Sequence, residues 1–224
     1  MSSRTDVTTA AARELARLGP VAQLRAGRLT RRLGQLGVGL VLYGLTLAMI
    51  IRAGVGNAPW DVLHQGIARH TSLTIGEAVI AMSLVVLLLW IPLRELPGLG
   101  TVANSLLVGI SADVFLGLLH TPGPIVARVA MMAAGVLLNG AATALYIGSQ
   151  FGPGPRDGLM TGLHRRTGVS IRVVRTALEV SVVVVGFLLG GVVGIGTLVY
   201  TLAIGPLVQL MLPYAIVELP ARER

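Results

Sequence analysis

The chain has 224 residues, 54% of them hydrophobic and 12% charged, with no cysteine and a formal net charge of +8; its mean hydropathy is +0.79. Soluble domains carry roughly 25% charged residues, so a soluble globular fold is excluded, and without cysteine so are a disulfide framework and a thiolate metal site. The basic excess does not point to nucleic acid, because the arginines cluster beside apolar stretches rather than along a polar face interleaved with aromatics.

Residues 1–33 form a basic extension. Thr8 and Thr9 are placed to cap a helix running through Leu15 and Leu18 before Gly19-Pro20 breaks it. A second basic amphipathic stretch then leads through Leu24, Arg28 and Arg31 toward the membrane. Such a helix can lie on anionic lipid, each basic group contributing about 1 kcal/mol near the surface, or engage a protein partner; a mobile tail is equally consistent with the composition. No continuous apolar core precedes the first long apolar stretch, so a cleaved signal peptide is not expected.

Stretches of about 20 apolar residues are long enough to cross the hydrocarbon core. They fall at about 34–52, 75–92, 98–119, 125–148, 173–193 and 195–217, predicting six transmembrane helices. Arg25, Arg28, Arg31 and Arg32 precede the first, and Arg156, Arg165, Arg166, Arg172 and Arg175 surround the connection between the fourth and fifth. The positive-inside rule makes both regions cytoplasmic, and six spans bring the C-terminus, with Arg222 and Arg224, to the same side. Arg52 and Arg69, opposed by Asp61, run against the rule in the first outer loop. The expected organisation is a cytoplasmic extension at 1–33, membrane repeats at 34–120 and 121–217, and a short cytoplasmic tail at 218–224.

The two membrane segments are copies of one another. At a spacing of about 96 residues, Gly44, Gly56, Pro59, Asp61, Gly66, Arg69 and Thr71 recur as Gly140, Gly152, Pro155, Asp157, Gly162, Arg165 and Thr167. Gly98, Gly100, Thr101 and Gly109 return as Gly194, Gly196, Thr197 and Gly205. Shared Gly, Pro and Asp positions are the least likely to coincide merely because both segments are apolar. Each copy holds three spans, an odd number, so the second enters the membrane from the opposite side. An all-α fold of two inverted three-helix repeats is predicted, an architecture that places substrate sites between its repeats.

The connection after the first span of each copy carries the most chemistry. It reads Gly54-Val55-Gly56-Asn57-Ala58-Pro59-Trp60-Asp61 in the first and Gln150-Phe151-Gly152-Pro153-Gly154-Pro155-Arg156-Asp157 in the second. Pro59 and Pro155 suit the first turn of a new helix, where Asp61 and Asp157 favour the helix dipole. About a dozen residues cannot span a bilayer, and two placements are open. The helices lie flat in the interface with Trp60 as a headgroup anchor, or they enter the protein as re-entrant half-helices, which broken backbone permits only where protein buries it or water lines it.

Polar residues in the spans extend this candidate site. Asp113, Asn104 and Tyr200 lie on the third spans of the two copies, and an ionisable group in a span is costly unless it is paired or functional. Arg175 and Glu179 have the spacing of a local helical ion pair. The expected site is a polar cavity bounded by the Pro59 and Pro155 helix ends, with Asn57, Trp60, Asp61, Arg156 and Asp157, and by Asn104, Asp113 and Tyr200.

The run Gly54 to Leu63, with its Pro-Trp-Asp, and the Gly-Leu-Gly-Thr at Gly98 to Thr101 resemble the bacterial YczE-like integral membrane proteins over about residues 34–215. Repeat two departs from that pattern, with Pro-Arg-Asp in place of Pro-Trp-Asp. The resemblance implies a multi-pass protein of the bacterial cell (inner) membrane more than it implies a reaction.

Three classes of function are weighed. A transporter of a small molecule or ion follows from the inverted repeats and paired broken helices. A membrane-embedded regulatory or scaffolding protein would use the same residues structurally. An enzyme is not expected, since His64, His70, His120 and His164 form no H-E-x-x-H pattern and no G-x-S-x-G elbow occurs; neither a metal nor another cofactor is expected.

Overall fold

The computed structural model describes Leu15 and residues 19–220. Their regular elements are helices: α1 (Pro20–Arg25), α2 (Leu29–Ala53), α3 (Pro59–His70), α4 (Ile75–Leu93), α5 (Leu99–Leu118), α6 (Ile125–Gly148), α7 (Pro155–Thr167), α8 (Ile171–Leu188) and α9 (Ile195–Ala215). The cap expected at Thr8 and Thr9 and the helix through Leu18 lie outside the described residues. Gly19 is extended and Pro20 opens a new helix, α1. Pro20 occupies the first turn of α1, where its missing N–H removes no helical bond.

Five helices, α2, α4, α5, α6 and α9, are long and apolar enough to cross a membrane. Their outward faces leave Leu88, Ile91, Val126 and Leu202 exposed, a surface that suits lipid rather than water. The protein is an all-helical, polytopic membrane protein. The fifth expected span, α8, has 18 residues and contains Arg172, Arg175 and Glu179, and it is not among those five helices. At the other end, α2 starts at Leu29, ahead of its apolar stretch, and Arg32 in its first turn is fully buried. The Arg32 guanidinium donates to the carbonyls of Ser149 at 2.8 Å, Gln150 at 2.9 Å and Gln23 at 2.6 Å and lies 4.1 Å from the Phe151 ring centre. It thereby satisfies carbonyls left without partners where α6 ends.

The sequence repeat survives in the helices. Leu29 and Ile125, Pro59 and Pro155, Ile75 and Ile171, and Leu99 and Ile195 begin corresponding helices at the same spacing of 96 residues. The left-handed residue that ends α2, Gly54 at φ 64°, corresponds to Gln150 at φ 61° after α6. Each donates its N–H to the carbonyl three residues earlier, Ile51 and Ile147 respectively. Gly100 N–H donates to the Phe151 carbonyl at 2.8 Å, and its counterpart Gly196 donates to the Val55 carbonyl at 2.9 Å. α5 and α9 are thus each pinned to the broken segment of the other copy.

Packing interleaves the copies. α2 packs against α6, with α5 on α2 and α9 on α6, while α3 packs on α8 and α7 on α4. One apolar core joins Leu40, Leu47 and Val108 with Tyr146, and another joins Ile50 and Ala53 with Met132 and Ile204. A third joins Trp60 and Leu63 of α3, Val86 and Trp90 of α4, Leu159 of α7 and Val182 of α8. Small residues allow the closest approaches. A Cβ at Gly186 would lie 2.5 Å from the Leu63 nitrogen, and one at Gly44 2.8 Å from the Ala112 nitrogen.

Candidate functional site: a cavity between the repeats

A cavity of about 270 Å³ lies where α2 through α9 converge. Its walls include corresponding positions from both copies: Ala58 and Gly154, Pro59 and Pro155, Trp60 and Arg156, Val79 and Arg175, Ser83 and Glu179, Asn104 and Tyr200, Val108 and Ile204. Divergence at these positions gives the walls different chemistry. The first copy contributes Trp60, Val79, Ser83 and Asn104, whereas the second contributes Arg156, Asp157, Arg175, Glu179 and Tyr200. Charge is therefore confined to the wall made by the second copy.

The short helices bring their N-terminal ends into this space. Pro59, Trp60, Asp61, Val62, Leu63 and His64 of α3 are buried, as are Pro155, Gly158 and Leu159 of α7. Trp60 is 6% exposed. Of the two placements open from sequence, an interfacial Trp60 anchor is thus overturned: its ring packs inside the protein with Trp90 and Val86. Apolar residues of α4 and α8 cover α3 and α7, so their first turns face protein.

Asp61 and Asp157 share a position but not partners. Asp61 lies 3.2 Å from His64 Nδ1 and 3.9 Å from the Arg156 guanidinium. Asp157 accepts from the Tyr146 hydroxyl at 2.5 Å. Arg156 also lies over the Trp60 ring at 5.0 Å from its centre, and the buried Trp60 indole N–H has no hydrogen-bond partner among the described residues. Behind them runs a polar relay: Tyr200 donates to Asn139 Oδ1 at 2.9 Å, and Asn139 Nδ2 donates to Thr46 at 2.7 Å.

Pro59, Trp60, Asn104, Pro155, Arg156, Asp157 and Tyr200 line the cavity. Three expected residues do not: Asp61 is buried behind Arg156, and Asp113 and Asn57 are engaged elsewhere. Asp113 accepts from the Thr74 hydroxyl and from Gly76 N–H at 2.7 Å, so it caps α4 and lines a separate depression near Arg52 and Thr121. Its carboxylate is used in holding α5 to α4. Asn57 donates to Gln65 Oε1 at 2.9 Å, and Gln65 in turn accepts from Val192 N–H at 2.8 Å. Asn57 therefore stitches the loop before α3 to the loop before α9.

The sequence reading missed Tyr43, Tyr146 and Ser83 as wall residues. It took Arg175 and Glu179 as a local ion pair, which they form at 2.8 Å, but both also line the cavity. The available signal was their correspondence with Val79 and Ser83, which puts them on the inward face of α8. They stand at a seam that differs between the copies. α4 packs along α5, with a Cβ at Gly109 falling 2.4 Å from the Gly76 carbonyl oxygen. At the corresponding Gly205, a Cβ would meet only Arg175 at 3.8 Å, and the cavity extends between α8 and α9 to Gln209. No group of three or more metal-ligating carboxylate or imidazole residues occurs among the described residues.

The family described as "Family of unknown function (DUF6198)" matches residues 30–213, spanning every helix that lines the cavity. The chain belongs to this family. It is 42% identical to an uncharacterized protein of Haemophilus influenzae over 77% of this chain and 79% of that protein. Its identity with the uncharacterized membrane protein YczE of Bacillus subtilis is 28%, covering 80% and 84% of the two chains. With YyaS of the same organism it is 25% identical over 79% and 90%. No solved structure matches the chain. The YczE relative bears out the resemblance read from the Pro-Trp-Asp and Gly-Leu-Gly-Thr motifs, and it agrees with a membrane location.

Proposed function

We propose that the protein transports a small solute across the bacterial cell membrane, with the cavity between two inverted repeats as its binding site. The observation that carries this reading is the set of corresponding positions, from Ala58 with Gly154 to Val108 with Ile204, that line one cavity. An inverted repeat places its substrate site where the copies meet. On this reading α8 is the sixth span, its Arg175 and Glu179 facing the cavity rather than lipid, and α3 and α7 are half-helices entering from opposite sides. Arg165, Arg166 and Arg172 beside α7 and α8 favour a cytoplasmic position for that end, with both termini on the same side.

The absence of native cysteine makes the reading testable. Ser83→Cys and Gln209→Cys, each in the otherwise unaltered chain, are treated with a membrane-impermeant thiol reagent in right-side-out and inside-out vesicles. A transporter exposes its cavity to each side in turn, so each cysteine reacts in both preparations. A scaffolding protein with a closed interior gives reaction from neither side or from one side only, and that result would reject transport.

A further inference from the structure

We infer that the cavity recognises a small carboxylate-bearing organic solute with an apolar body, the carboxylate binding Arg156 and the Trp60 indole N–H. The inference rests on the transport reading for its biological use, but the site is argued from its own groups. Arg156 has five N–H donors in a fixed fork, yet its contacts with described residues are the 3.9 Å approach to Asp61 and the stacking on Trp60. Neither is a hydrogen bond. Its side chain is 22% exposed and borders the cavity, so its donors are turned toward whatever the cavity holds. The adjacent Trp60, 6% exposed, holds a second donor without a partner. A buried donor is rarely left unpaired, and the Trp60 N–H lies in the ring against which the part-exposed Arg156 guanidinium stacks without a hydrogen-bonding acceptor, so one acceptor group is called for beside this pair.

Charge narrows the acceptor. Arg156 and Arg175 are balanced along the wall by Asp157 and Glu179, and Asp61 stands behind Arg156. With Asp61 counted, three carboxylates stand against two guanidiniums, so a dianion such as phosphate is repelled more strongly than a single carboxylate. A single carboxylate instead matches the planar fork of one arginine. An ammonium on the same solute would face Asp157, Glu179 and the Tyr200 ring, so monocarboxylates and zwitterionic amino acids share the chemistry proposed. Val79, Val108 and Ile204 offer the rest of the solute an apolar surface. The volume of about 270 Å³ is near the lower end of ligand pockets, ~300–1,000 Å³, and suits a small molecule.

The test is thermal unfolding of the purified full chain in detergent with millimolar phenylacetate, L-phenylalanine, phenethylamine, benzyl alcohol or inorganic phosphate. A ligand that binds only the folded state raises the midpoint. Phenylacetate, phenylalanine or both are expected to do so, while the amine, the alcohol and phosphate do not. Response to phenylacetate alone identifies a monocarboxylate site, and response to phenylalanine alone a site that requires the ammonium. Arg156→Gln is expected to weaken binding about tenfold or more, the scale of one lost charge-assisted pair. Trp60→Phe, which keeps an aromatic ring beneath the guanidinium while removing the indole N–H together with the smaller ring, is expected to weaken it several-fold and serves if Arg156→Gln does not fold. Stabilisation by no carboxylate, by phosphate or amine in preference to carboxylates, or undiminished in the folded variants overturns the inference. Cysteine labelling from both sides without carboxylate binding would reject this ligand class alone; carboxylate binding without two-sided labelling would reject transport alone.

Discussion

The guanidinium of Arg156 lies 5.0 Å from the ring centre of Trp60, and the two residues occupy the same position in their respective repeats. A residue that touches its own counterpart sits where the copies meet, so identity there would set like against like. Two arginines would repel in a buried wall. Trp and Arg instead form a cation–π contact, worth about 0.5–2 kcal/mol depending on desolvation.

That relationship gives the first prediction. Arg156→Trp replaces the pair with two aromatic rings and is expected to change stability by about 1 kcal/mol or less, while removing carboxylate binding. Trp60→Arg places two guanidiniums together and is expected to lose about 3 kcal/mol or more. Thermal unfolding in detergent measures both, and equal losses would contradict the contact.

Tyr146 and Asp157 provide the second. Their hydrogen bond ties α6 to the start of α7 across the cavity wall. A double-mutant cycle with Tyr146→Phe and Asp157→Asn is expected to yield a coupling of about 1–3 kcal/mol, the range for hydrogen bonds to charged groups and for residues in direct contact. Coupling near zero would mean that the two side chains act independently.

Arg32 supports the third. Arg32→Leu leaves the Ser149, Gln150 and Gln23 carbonyls without this donor, and is expected to lose about 3 kcal/mol or more at about 1–3 kcal/mol for each unsatisfied group. Arg32→Lys retains a charge but lacks the fork that reaches Nε and both terminal nitrogens in one plane. It is expected to recover only part of the loss, and full recovery would show that charge alone matters.

The seam between α8 and α9 supplies the fourth. Gly109 and Gly205 correspond, but only Gly109 is pressed against a neighbouring backbone. Gly109→Ala is expected to lose about 1–3 kcal/mol from overpacking. Gly205→Ala, whose Cβ would meet only Arg175 at an ordinary contact distance of 3.8 Å, is expected to gain roughly 0.5–1 kcal/mol from helix propensity. Similar losses at both sites would indicate that the second seam closes as tightly as the first.

Much of this architecture was legible because Gly, Pro and Asp report local geometry wherever they fall. Pro59 and Pro155 marked helix starts, and the Gly98 and Gly194 runs marked the starts of α5 and α9. The reading faltered where a side chain's meaning depends on distant partners. Asp113 looked functional as an acid in a span, but the N–H of Gly76 and the hydroxyl of Thr74 satisfy it. Arg32 read as one more basic residue before the membrane, and nothing local in the sequence announces that it closes the end of α6. Trp60 fitted an interfacial anchor until α4 and α8 were seen to cover it. Arg175 and Glu179 fell between these cases: their ion pair follows from helical spacing, whereas their place on the cavity wall depends on how α8 is turned against α9.

The proposed transport site requires the two copies to face opposite sides of the membrane, and the loops after α3 and α7 test this most directly. Ser72→Cys and Gly168→Cys place single thiols at corresponding, exposed positions, each in a chain free of native cysteine. In sealed right-side-out vesicles an impermeant maleimide is predicted to label Ser72→Cys and to leave Gly168→Cys unlabelled, with the pattern reversed in inside-out vesicles. Labelling of both from the same side would contradict the inverted arrangement, and with it the transport site built between the copies.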